Sequence, residues 1–231
     1  MPKDIQLAYR EQGSGFPLIM LHGNGESGAY FHHQLDYFAP YYRVIAVDTR
    51  GHGASPRGSA PFTLRQFADD LHDFFLEQGI SQAHVLGFSD GGNIALYFAS
   101  KYPNAVKSLI LNGANLNPSG VRRSVQLPVE LGYRFASCFA ARSERAARNA
   151  ELLGLMVHEP DLCPQQLSRL TMPALVIAGT RDMIRRSHTE QIARSLPRAQ
   201  LVLIDGDHFI AEKRPEAFNR AVFYFLREQE I

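Results

Sequence analysis

Gly87-Phe88-Ser89-Asp90-Gly91 sets a serine between two glycines, after the apolar run Ala83-His84-Val85-Leu86 and before the helix-forming Asn93-Ile94-Ala95-Leu96. A serine hydroxyl is a poor nucleophile on its own, and it needs a base that is itself held by a third group. A sharp strand-to-helix turn is one way to present such a hydroxyl, and Gly-x-Ser-x-Gly is its signature. Gly87 and Gly91 fit because β-carbons there would collide where the strand doubles back onto its helix. Asp90 is not in frame for the same role: the position two before it is Phe88, not glycine. At the first turn of a helix its carboxylate is favoured by the helix dipole. Its backbone N–H is placed to stabilise an oxyanion formed at Ser89.

The base and its orienting acid follow downstream in the order serine, acid, histidine. Asp182 lies just past the apolar run Ala174-Leu175-Val176-Ile177-Ala178, and His208 just past Gln200-Leu201-Val202-Leu203-Ile204. If those runs are parallel strands, both side chains arrive at the same sheet edge as Ser89. Each has a plainer reading: Asp182 as a turn residue or N-cap, His208 as one of nine histidines with a structural task. Asp205 and Asp207 compete as the acid but sit too near His208 in sequence to approach it from a separate loop. The loop Asn112-Gly113-Ala114-Asn115 carries no carboxylate. A second oxyanion donor is expected from His22-Gly23-Asn24-Gly25-Glu26-Ser27, with the Asn24 N–H as the candidate; otherwise this is a glycine-rich connector. His22 reads as structural.

Positioning these residues requires buried strands and helices that alternate. Pro17–Leu21, Val44–Val47, Ala83–Leu86, Ser108–Leu111, Ala174–Ala178 and Gln200–Ile204 are continuous apolar runs, as expected of parallel strands buried on both faces. Thr63 is a plausible N-cap for an amphipathic helix through Leu64, Phe67, Ala68, Leu71 and Phe75. Pro215 opens another, with Ala217, Phe218, Ala221, Val222 and Phe225 on one face. The alternation predicts an α/β fold with a doubly wound, mostly parallel sheet in a single domain over 1–231. Residues 115–170 interrupt it with helical stretches such as Ser143 to Leu155 and read as a short helical cap.

Composition excludes more than it selects. The 231 residues are 45% apolar and 20% charged with a formal net charge of +1, which gives no basis for nucleic-acid or membrane binding. The two cysteines, Cys138 and Cys163, suggest neither a disulfide framework nor a metal site. No signal-type core and no membrane-length apolar run is present, so a cytoplasmic location is expected. The cap arginines 122, 123, 134, 142, 145 and 148 hint at a carboxylate-bearing substrate but read better as a solvated basic face.

The chain resembles the α/β-hydrolase fold superfamily, most closely its small capped esterases, enol-lactonases and carbon–carbon bond hydrolases. The resemblance rests on His22-Gly23-Asn24-Gly25, Asp48-Thr49-Arg50-Gly51-His52-Gly53-Ala54-Ser55, Gly87-Phe88-Ser89-Asp90-Gly91, Gly179-Thr180-Arg181-Asp182 and His208. The Asp48–Ser55 segment matches a family turn of structural character, and Ser-Asp-Gly-Gly is similar to that of some amino-acid-ester hydrolases. The chain is shorter than many capped members, which implies a reduced cap. The resemblance implies a Ser89–His208–Asp182 triad acting on a small-molecule acyl substrate, with no metal or organic cofactor. Lyase or perhydrolase chemistry, or a non-hydrolytic ligand receptor, are the alternatives on the same scaffold.

Overall fold

A computed structural model describes residues 4–229. Its seven strands are β1 (Tyr9–Gln12), β2 (Pro17–Leu21), β3 (Arg43–Val47), β4 (Ala83–Phe88), β5 (Val106–Asn112), β6 (Ala174–Gly179) and β7 (Ala199–Ile204). They form one sheet in the order β1-β3-β2-β4-β5-β6-β7. All neighbours are parallel except β1, which runs antiparallel to β3. Strand β1 is exposed along its whole length and lacks an apolar run, so no sequence signal announced it.

The apolar runs are continuous because both faces of the central strands are covered. Ile19 and Leu21 point into one core while Leu18 and Met20 point into the other, the period-two alternation of a strand. The first core is closed by α2 (Leu64–Glu77), α3 (Asp90–Lys101) and α7 (Arg186–Ser195). The second is closed by α1 (His32–Phe38), α8 (Ile210–Lys213) and α9 (Pro215–Arg227). Thr63 caps α2 by accepting from the Gln66 N–H at 3.2 Å, as its sequence position suggests. Strand β7 departs from expectation. Its apolar run predicts a buried strand, yet it is the sheet's edge, with Gln200 and Leu201 exposed.

Between β5 and β6 the chain leaves the sheet. Residues 115–170 carry α4 (Arg123–Phe139), α5 (Glu144–His158) and the short α6 (Pro164–Leu167). Ser143 caps α5, its hydroxyl accepting from the Ala146 N–H at 3.3 Å. Helix α4 pairs with α5, while α5 leans on the sheet domain. Asn24 donates its side-chain amide to Leu152 O at 2.7 Å, Arg57 pairs with Glu151, and the Leu64 N–H reaches the Glu159 carboxylate at 2.8 Å. The seven arginines of this segment, the six singled out above and Arg169, are all exposed. No described helix is long and apolar enough to cross a membrane.

Candidate active site

Ser89 is the single non-glycine residue with a positive φ among the described residues, at φ 54° and ψ −120°. Such a conformation costs on the order of 1–3 kcal/mol and persists only where its surroundings enforce it. Here the enforcement is visible. The Ser89 N–H is held by Asn112 O at 2.8 Å, and Ser89 O accepts from the N–H groups of Gly92 and Asn93. Gly91 lies so close to Leu21 O and His22 O that a β-carbon would overlap them. The turn is therefore wedged between the ends of β2 and β5, with the serine at the carboxyl edge of β4.

Asp182 and His208 arrive at that edge from β6 and β7. Asp182 Oδ1 receives the His208 Nδ1–H at 2.7 Å and the Ile184 N–H at 2.9 Å. The second bond is the turn role that the sequence also allowed, and both roles are met by one oxygen. Both side chains are buried. Gly113 supplies the wall behind them: at φ 65°, a β-carbon would stand 2.6 Å from His208 Cε1 and 3.5 Å from Asp182 Oδ2. The carboxylate-free loop after β5 is thus the surface on which the pair rests. His208 Nε2, buried, has no hydrogen-bond partner among the described residues, nor has Asp182 Oδ2. A free ring nitrogen of this kind is compatible with a candidate general base, because catalytic hydrogen bonds often tighten only in the reacting complex.

The rival acids are occupied elsewhere. Asp205 accepts from Thr180 Oγ1 and Arg181 Nη1, and Asp207 pairs with Lys213 on the exposed surface. His22 is buried with Nε2 accepting from the Thr49 N–H at 3.0 Å and Nδ1–H donating to Gly23 O at 2.7 Å. Burial pushes its pKa down to about 4, so it stays neutral and structural. The Asp48 carboxylate takes the Gly28 and Ala54 N–H groups at 2.7 and 2.8 Å, which makes that segment a loop clasp.

The two residues expected to supply backbone donors, Asp90 and Asn24, both have main-chain N–H groups without a backbone acceptor among the described residues. Asp90 opens α3, so its N–H has no helical acceptor. The Asp90 side chain accepts from Asn93 Nδ2 at 3.2 Å with one oxygen and has no partner for the other. Burial raises its pKa to about 6. Sequence reasoning missed three features here. The Asn24 side chain is a tether to α5. Phe88 packs its ring 4.8 Å from that of His208 and stacks on Tyr30 at 4.5 Å. Glu26 folds its carboxylate onto the Gly23 N–H at 3.2 Å, and its spacing of three from Gly23 was the available signal.

A parallel sheet with its polar site beyond the carboxyl ends of β2, β4, β6 and β7, and a strained serine turn at its centre, defines an α/β-hydrolase. The model of the alpha/beta hydrolase fold family matches residues 17–156, and the chain belongs to that family. Several of the relatives it matches are named as hydrolases. The chain is 25% identical to (E)-2-((N-methylformamido)methylene)succinate hydrolase of Acinetobacter baylyi, over 94% of this chain and 93% of that one. It is 28% identical to serine hydrolase BPHL of Homo sapiens, over 96% and 84%. Among solved structures it is similar to a thermophilic esterase from Thermogutta terrifontis, with a TM-score of 0.84 and 26% identity over 100% and 96% of the chains.

Proposed function

We propose that the protein is a serine hydrolase that cleaves small carboxylic esters or related acyl compounds through an acyl-enzyme. Ser89 Oγ attacks the acyl carbonyl and passes its proton to His208 Nε2. The carbonyl oxygen, now anionic, is held by the Asn24 and Asp90 N–H groups. Collapse of the tetrahedral species breaks the bond to the leaving alcohol, which takes the proton from His208. Water then attacks the Ser89 ester with His208 again as base, releasing the acid and restoring the serine. Asp182 keeps the imidazole in the tautomer with Nδ1 protonated.

The observation that carries the reading is the strained backbone of Ser89, beside a buried His208–Asp182 pair whose Nε2 has no protein partner. Residues 115–170 would then act as a cap that selects the acyl and alcohol groups, with α5 fastened beside the oxyanion loop by Asn24. The exposed free thiols of Cys138 and Cys163 suit a reducing, cytoplasmic setting. A fluorophosphonate probe tests the reading: it should label Ser89, and Ser89→Ala should abolish both labelling and turnover of a graded series of p-nitrophenyl esters and lactones. Turnover that survives in Ser89→Ala would remove the serine mechanism.

A further inference from the structure

Besides the Asp90 side chain, one further carboxylate of this corner has no part in the serine mechanism. Glu26 stands on the loop that also carries Asn24. Its N–H donates to Gly23 O at 3.2 Å, and its Oε2 accepts from the Gly23 N–H at the same distance. This reciprocal closure fixes where the carboxylate lies. A β-carbon on Gly23 would touch that oxygen at 3.2 Å and the Phe88 ring at 3.1 Å, so carboxylate and ring occupy one small volume. The same ring packs 4.8 Å from His208.

Glu26 forms no ion pair among the described residues, whereas Asp207, one residue before His208, has Lys213. The titratable groups gathered around Glu26 and Tyr30 are His208 and Asp207 from the loop after β7, Glu212 from α8, and Asp182 from the loop after β6. Of these, His208 is the one that can carry positive charge. Burial raises the Glu26 pKa to about 7, Glu212 adds to the rise, and the Gly23 N–H and His208 oppose it.

We propose that Glu26 is a positioning residue for His208: once ionised, its carboxylate stabilises the imidazolium formed when Ser89 gives up its proton, in addition to Asp182. The inference rests on the serine mechanism. Its sign follows from the charge. Above pH about 7 Glu26 is an anion and favours protonated His208; below it the carboxyl is neutral and the support vanishes.

Glu26→Gln keeps an acceptor for the Gly23 N–H and removes only the charge. The ratio of wild-type to variant kcat/KM on p-nitrophenyl acetate should be near one at about pH 5.5 and rise to roughly threefold to tenfold by about pH 8.5. Titration of the His208 imidazole by NMR should show a lower midpoint in Glu26→Gln. Glu212→Gln, which removes a like charge, should move the onset of the wild-type effect to lower pH. A ratio flat across pH with an unmoved His208 midpoint would mean that Glu26 only braces the loop, and would overturn the inference. Fluorophosphonate labelling of Ser89 separates the two failures. Labelling with a flat ratio defeats the Glu26 role alone, and no labelling in the wild type defeats both.

Discussion

Two buried polar clusters lie beyond the strands of the sheet, one past β3 and one past β4, β6 and β7, and they are finished to different degrees. Beyond β3, Arg50 is 1% exposed and donates twice to Asp70, at 2.7 and 2.6 Å, and again to Asp4 and Arg57 O. Asp48 and His22 are likewise saturated on both sides, and His52 Nε2 is the one orphan of that cluster. Beyond β4, β6 and β7, the Ser89 corner leaves Asp182 Oδ2, His208 Nε2 and Asp90 Oδ2 buried without partners. An unpaired buried polar atom carries a desolvation cost of about 1–3 kcal/mol. A cluster whose purpose is to hold the fold removes that cost; one that must receive a substrate and move protons retains it. The first cluster spends its hydrogen bonds on itself, and the second keeps some in reserve.

The contrast can be broken from either side. The largest effect should come from Ser89→Ala, which should lower ester turnover by about 10⁴-fold or more. Its melting temperature should change little, because the turn is held by main-chain bonds that the substitution leaves in place. Asp182→Asn should follow, with a loss of about 10³–10⁴-fold in kcat at unchanged folding, since an amide no longer fixes the protonated Nδ1 tautomer or stabilises the imidazolium. Calorimetry beside steady-state kinetics checks both; large destabilisation in either would make the Ser89 corner structural as well.

Asp70→Ala inverts the pattern. It strands the Arg50 guanidinium against a remaining partner that is partly exposed, Asp4. Removing one member of a buried pair costs about 3–5 kcal/mol. Chemical denaturation should show that loss, while kcat per folded molecule stays near wild type. A kcat loss out of proportion to the unfolded fraction would join the two clusters into one functional unit.

The difference between the clusters also explains what could be read from the chain. Ser89 and Asp182 were legible because each follows an apolar run whose continuity betrays a strand buried on both faces; the run before His208 is apolar enough to mark a parallel strand even though β7 lies at the exposed edge of the sheet. Strand β1 was not legible, because an exposed antiparallel edge has no such run. Helix α4 was hidden by Pro128 within it, since a proline ordinarily ends or kinks a helical pattern. Glu26 and the Asn24 side chain act through contacts with residues three and 128 positions away. The first distance is local enough to leave a trace in spacing. The second depends on where α5 comes to rest, which no local pattern specifies.

Asn24→Ala is the smallest test and the one that divides Asn24 most finely. The backbone N–H assigned to the oxyanion survives the substitution, while the side-chain amide is lost, and with it the bond to Leu152 O and its pull on the Asp90 carboxylate. A single hydrogen bond of this kind contributes about 0.5–1.5 kcal/mol, so stability should fall by no more than that. Hydrogen exchange should quicken in α5, where Leu152 O would lose its anchor, while α2 and α3 keep their protection. If the 115–170 segment governs substrate choice, KM should rise across the ester series more than kcat falls, because the acyl pocket loosens while the oxyanion donor remains. A kcat loss approaching that of Ser89→Ala would instead assign the oxyanion contact to the side chain. The main-chain assignment would then be wrong even though the loop is right.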